Sequence, residues 1–158
     1  MINKIGIMQG RLVPREIKSR LQSFPIAMWK KEIELAKKNK ISFIEWTLDY
    51  KNFLKNPIIS NPEIVKKILN KNKIIVNSIT CDFFMQKPFF KNKNNKLIIF
   101  KYLKLLIYSC NLLNIKFLVL PLVDKSSIKN AKEEKILINE LKNFVRINHL
   151  GKIKILFE

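Results

Sequence analysis

Glycine is nearly missing from this chain: Gly6, Gly10 and Gly151 are all that its 158 residues contain. Helices ordinarily close on a residue in the left-handed conformation, where glycine meets no steric penalty. Asparagine is expected to take that place at several helix ends, Asn114 among them. Histidine is scarcer still, with His149 alone, and cysteine is limited to Cys81 and Cys110. Two cysteines so far apart make neither a disulfide framework nor a CxxC metal knuckle, so both are expected to be reduced packing residues. No apolar run approaches the length of a membrane span. MINKIGIMQG enters a strand directly, without the apolar stretch of a signal peptide, so the cytoplasm is the expected compartment.

Acidic residues are also few, twelve against 31 basic ones, for a net charge of +19. Such an excess raises nucleic acid as a partner. Only Arg11, Arg15, Arg20 and Arg146 are arginine, however, and the lysines are dispersed along the whole chain. Lys, Asn and Ile are over-used together, as an AT-rich coding sequence would dictate. A nucleic-acid binder more usually gathers its cations on one stripe, with arginine for bidentate phosphate contacts and exposed aromatics for stacking. The coat reads as a solvated surface without specific nucleic-acid function, favouring anionic substrates and salt-sensitive sticking to polyanions. With 47% hydrophobic residues the chain can bury a real core as one domain.

Strand patterns at 4–9, 42–45, 74–78, 117–120 and 152–158 alternate with helical ones. The first helix, 26–39, carries Trp29, Ile33 and Ala36 on one stripe. The second starts at Ser60 or Asn61 as cap, with Pro62 in the first helical position and Glu63 in the first turn. The third, 96–113, traces one apolar face through Leu97, Phe100, Leu103, Leu106, Ile107 and Cys110. The fourth spans 131–150, with Gly151 as its left-handed stop, and KNKNNK at 91–96 is a polar loop. Strands alternating with helices predict a parallel sheet in order 1-2-3-4-5, with right-handed crossovers and helices on the convex face. Ligands of such sheets sit outside the carboxyl ends of the strands. Five of the twelve acids, Glu45, Asp49, Asp82, Asp124 and Glu158, fall at or just past those ends. That concentration points to a sugar-sized ligand and to metal.

Glu45 meets its loop where it can accept hydrogen bonds from sugar hydroxyls, or pair with a neighbouring lysine. Trp46 can wall a sugar face or pack in the core. Gln9 and Arg11 stand at the end of the first strand. Arg11, Arg15 and Arg20 share one loop, which suits an anionic or phosphorylated substrate, although Arg15 and Arg20 read equally as solvated. Asp82 and Asp124 follow the third and fourth strands and either can touch substrate; Asp124, before KSSI, alternatively shapes its loop. His149 falls in the last turn of the fourth helix, away from the strand ends, as a helix-end cation or surface residue.

Taken in order, GIMQGRL at 6–12, QSFP at 22–25, FIEW at 43–46 with Asp49, VNSI at 76–79 followed by Asp82 and Met85, and VLPLVD at 119–124 resemble the sugar phosphate isomerases/epimerases of the xylose isomerase-like TIM-barrel superfamily. The resemblance runs over nearly the whole chain. It implies an α/β fold, a (β/α)8 barrel, with the site at the carboxyl ends of its strands. It also implies a divalent metal (Mn, Mg or Zn) held by a Glu on strand five, an Asp on strand six, a His on strand seven and a Glu on strand eight. Glu158 matches the first of these, and the other three have no counterpart. The implied activity is isomerisation or epimerisation of a sugar or sugar phosphate through an enediolate, with Glu158 as metal ligand and base. Taken by itself, Glu158 reads equally as a solvated residue or a partner of Lys152 or Lys154.

Five units in this length average about 32 residues, so eight would give the ~250 typical of such barrels. Residues 1–158 are therefore expected to form one partial barrel domain truncated after strand five. The chain then reads as an incomplete fragment or, alternatively, as a half barrel that a second chain completes; oligomerisation stays open. Two other functions share the fold. Endonuclease IV-like DNA repair barrels would suit the charge, but their metal clusters use histidines at early strand ends, and none is there. A non-catalytic remnant would instead use its sheet edge to bind another chain.

Overall fold

Strands β1 (Gly6–Met8), β2 (Phe43–Thr47), β3 (Ser78–Thr80), β4 (Phe117–Leu120) and β5 (Lys154–Phe157) pair in chain order, and each neighbouring pair is parallel. This is the order that alternation of strands and helices predicts. The structure, a computed structural model, describes residues 5–14 and 23–158. Arg15, Arg20 and the start of the first strand pattern lie outside the described residues.

Among the described residues six helices connect the strands: α1 (Trp29–Lys38), α2 (Pro57–Ser60), α3 (Pro62–Asn72), α4 (Asp82–Gln86), α5 (Lys96–Leu113) and α6 (Ala131–Ile147). Short 3-10 turns at Phe53–Lys55, Lys93–Asn95 and Asp124–Ser126 fill the loops. The Asn61 side chain accepts a hydrogen bond from Ile64 N at 3.2 Å, so Asn61 is the cap of α3, with Pro62 as its first residue. Asn56 does the same for α2 through Ile58 N, and Asn130 for α6 through Glu133 N. These side chains satisfy backbone donors that a helix leaves orphaned at its start. Neighbouring helices touch, α1 with α3 and α3 with α5. The pairs Lys91–Glu133 and Lys96–Glu140 and the Phe100–Phe144 ring contact at 4.9 Å join α6 to the α5 region.

Pairing divides the strand residues between two faces, because successive side chains point to opposite sides. Ile44, Trp46, Ile79, Leu118 and Leu120 lie on the face that the helices cover, and all are buried. Phe43 and Glu45 from β2, Ser78 from β3, and Phe117 and Val119 from β4 occupy the other face and remain half-exposed. A cleft of about 340 Å³ runs along that open face between Gly6, Met8, Phe43, Glu45, Asn77 and Ser78.

Several boundaries differ from the sequence reading. The third strand forms at Ser78–Thr80 rather than 74–78, and residue 75 contributes only an isolated bridge to Phe43. Ile74 and Val76 instead pack into the helix-side core. Leu97 does not join the apolar face of α5: it is 85% exposed, in the helix's first turn. Helix α6 stops at Ile147, so His149 lies in the following connection and not in a helical turn. Gly151 does adopt a left-handed φ of +63°, but in the turn before β5, since Asn148 closes α6 at φ −110°. Left-handed stops fall to Asn114, as expected, and also to Lys40 and Lys73, where no asparagine stands.

Two outcomes follow from this architecture. Gly10 has φ +87°, and a Cβ there would lie 2.8 Å from the Ser23 carbonyl oxygen. Gly10→Ala is expected to lower unfolding free energy by about 2 kcal/mol or more through left-handed strain and this clash; an unchanged urea midpoint would show that the loop relaxes freely. The half-exposed apolar face predicts that the isolated chain binds hydrophobic dyes in its folded state. A chain that leaves the dye's fluorescence unchanged would contradict it.

Candidate functional site

The carboxyl ends of β1 and β2 hold most of the polar groups that sequence placed in a site. Gln9 extends the ladder past β1, its N–H donating to the Glu45 carbonyl at 2.9 Å. Its side chain is 1% exposed, and among the described residues neither amide atom finds a partner. Glu45 projects from the open face, half-buried, with one carboxylate oxygen fixed by the Thr80 hydroxyl at 2.7 Å. Thr47, two residues on and on the same face, is buried with its hydroxyl unpartnered among the described residues. Leaving such groups unsatisfied costs free energy, about 1–3 kcal/mol each.

A residue absent from the sequence reading organises the loop beyond β1. Glu32, on α1, is fully buried, and its Oε1 accepts hydrogen bonds from Gly10 N at 2.7 Å and Leu12 N at 3.1 Å. Arg11 lies between those two anchored amides and is exposed. A signal for Glu32 existed: it falls within the buried stripe of Trp29, Ile33 and Ala36, where an acid needs a specific partner. Asp49 is likewise built into the scaffold. Its Oδ2 accepts from Phe24 N at 3.1 Å and its Oδ1 from Gln86 Nε2 at 2.9 Å, while Gln86 Oε1 accepts from Tyr50 N at 2.8 Å.

The remaining candidates separate from this cluster. Trp46 is a correction: it is fully buried, so it offers no wall to a sugar. Its indole N–H donates to Asn56 Oδ1 at 3.0 Å, and its ring packs on Phe24 and Trp29 at 5.1 and 5.9 Å. Asp82 opens α4 and is nearly buried. It helps raise the Cys81 thiol pKa, which is lifted chiefly by burial and secondly by Cys110. Asp124 is exposed, with φ 50°, and its carbonyl accepts from the Ser127 hydroxyl at 2.8 Å. That geometry shapes the loop into α6. Glu158 follows β5, and its carbonyl accepts from Leu122 N at 2.8 Å. Strand alternation puts its exposed side chain on the same open face as Glu45. Three strand spacings separate them, about 14 Å along the sheet.

Among the described residues no three His, Cys, Asp or Glu side chains come close enough to hold a metal ion. A catalytic metal usually needs three protein ligands, so the residues present do not fit a metal centre, and Glu158 alone does not make one.

Asn56 is the most testable support of the rim. Its Oδ1 accepts from both Trp46 Nε1 and Ile58 N, and its Nδ2 donates to the Thr47 carbonyl at 3.3 Å. Asn56→Ala strands three buried groups and is expected to destabilise the fold by about 2–4 kcal/mol. Equilibrium denaturation measures this, and a loss under about 0.5 kcal/mol, the size of an ordinary surface substitution, would refute the network.

No protein-family model matches the sequence, and no curated protein matches it. Among solved structures, a crystal structure of the IOLI protein with a bound zinc atom is similar, with a TM-score of 0.56 and 20% sequence identity. The match covers 81% of this chain and 45% of that one, so the chain spans less than half the length of its structural neighbour. At this identity the likeness concerns the fold alone, and the fold is that of five consecutive parallel strands of a TIM barrel with the helices between them.

Proposed function

We propose that this chain supplies the early-strand part of a carbohydrate site in a sugar or sugar-phosphate isomerase or epimerase of the xylose isomerase-like superfamily. The observation that carries the reading is the rim at β1 and β2. There the Thr80-anchored Glu45 carboxylate faces the open side of the sheet and lines the cleft of about 340 Å³. Hydroxyl-rich ligands supply donors to a carboxylate so placed. Arg11, carried on the loop that Glu32 clamps, suits a phosphate or other anion. The zinc in the IOLI structure supports a divalent metal for the intact protein. The described residues do not form its site.

In this reading Glu45 accepts hydrogen bonds from sugar hydroxyls and orients the ring. Glu158 is the carboxylate available as base toward a proton on the carbon next to a carbonyl, and it would join further ligands if a metal binds. Those ligands belong to strands additional to the five present, and the chain is proposed to be a fragment of the whole barrel. Asp82 and Asp124 stay outside the proposed substrate contacts, one turned into α4 and the other into a loop.

Solvent deuterium exchange at carbons adjacent to the carbonyl of aldoses, ketoses and their phosphates tests the proposal. The 158-residue chain with added Mn, Mg or Zn is expected to show no turnover. In a version carrying three further barrel units with the remaining ligands, exchange is expected. There Glu158→Gln should abolish it, and Glu45→Gln should raise KM about tenfold with a smaller change in kcat. Full activity in the Glu158→Gln variant would refute the site, and robust exchange by the 158-residue chain would refute the missing share.

A further inference from the structure

Helix α5 is apolar on nearly every side and carries no acid among its 18 residues. Its inner side buries Ile99, Leu103, Leu106 and Cys110 in the core. Its outer side is a second stripe, Leu97, Lys101, Lys104, Leu105 and Tyr108, at i, i+4, i+7, i+8 and i+11, about 16 Å or three turns long. Leu97 is 85%, Tyr108 69% and Leu105 38% exposed. A helix apolar all round is ordinarily covered all round. The flanks of α5 are already occupied: α3 touches it on one side, and α6 joins it on the other through Lys96–Glu140 and Phe100–Phe144. Further barrel units would continue the sheet from β5 round to β1 and leave this outer side bare. Among the described residues neither Lys101 nor Lys104 forms an ion pair.

We propose that the outer ridge of α5 rests on the surface of an anionic lipid bilayer, with Leu97, Leu105 and Tyr108 entering the interface and the two lysines reaching lipid headgroups. Residues of these kinds suit that boundary: leucine supplies apolar contact, tyrosine joins a ring to a polar tip, and lysine stems snorkel. Shape favours a bilayer over an acidic protein, since the projecting side chains form a ridge without a groove to receive a helix, and a fluid interface conforms to a ridge. Charge disfavours a second copy, because two chains of net charge +19 repel and α5 offers no acid. The contact lies on the bilayer and does not cross it, as no helix among the described residues is long and apolar enough to span one.

Co-sedimentation with vesicles of phosphatidylcholine alone and of equal parts phosphatidylcholine and phosphatidylserine tests this. The mixed vesicles are expected to bind the chain at least about tenfold more tightly, the difference shrinking as salt rises. The dispersed lysine coat alone would give that preference, so the deciding variant keeps every cation. Leu97→Ser/Tyr108→Ser, at two exposed positions, should weaken binding to the mixed vesicles about tenfold or more. Lys101→Ser/Lys104→Ser should weaken it comparably, whereas the control Leu156→Ser/Phe157→Ser, at exposed positions on the β5 edge, should bind as the unaltered chain does. No binding to mixed vesicles, unchanged binding by Leu97→Ser/Tyr108→Ser, or an equal loss in the β5 control would overturn the proposal. So would a dimer in sedimentation that Leu97→Ser/Tyr108→Ser abolishes, which gives the ridge to a second copy. Displacement of the chain from mixed vesicles by a glutamate-flanked leucine helix peptide, absent with the same variant, would give it to an acidic protein and equally overturn the proposal.

Discussion

A parallel strand must bury both of its faces, and in this chain one face is sealed while the other stays half open. Helices cover Ile44, Trp46, Ile79, Leu118 and Leu120 completely, and through them the aromatic cluster around Trp46 and the stacked Phe53–Tyr102 pair at 3.8 Å. The opposite face carries Phe43, Phe117 and Val119 without a second layer among the described residues. Parallel sheets in closed barrels solve this by filling the interior with side chains from all strands. The same openness that weakens the isolated sheet makes the Glu45 carboxylate reachable, so stability and site share one geometric cause.

The polar anchors of the site come from outside the strands. Glu32 reaches from α1 to the loop after β1, and Asp49 ties that loop's end to α4 through Gln86. Each carboxylate is removed from solvent and accepts directed N–H donors, Glu32 through one oxygen and Asp49 through both, an arrangement that holds backbone at fixed positions. Hydroxyl-binding chemistry at a strand end depends on such bracing, because loops alone place side chains loosely.

Much of this was legible in sequence, for reasons that differ by element. Lys96–Leu113 and Phe117–Leu120 match their predicted bounds because strong periodicity meets a clear stop at Asn114. Asn61 before Pro62 is an equally local signal. The third strand slid because the apolar residues 74–76 read as a strand while the ladder forms where β2 and β4 can both pair. Of the two roles open to Trp46, core packing holds, and alternation alone gives it: only one of two adjacent strand residues can face a given site, and Glu45 does. Glu32 and Gln86 act across 20 or more residues of sequence, which local pattern does not report. The fate of Asp82 and Asp124 depended on loop conformation rather than on position after a strand.

The left-handed positions held by Lys40, Lys73, Asn114 and Asp124 have a consequence for the stability margin. Each L-residue there forgoes about 1 kcal/mol that glycine would keep, more for the lysines than for the asparagine. Against a typical domain margin of about 5–15 kcal/mol, four such sites are a substantial standing burden. Conformational load at these positions is thus carried by the packing around them, and the fold tolerates fewer further core losses than its hydrophobic content suggests.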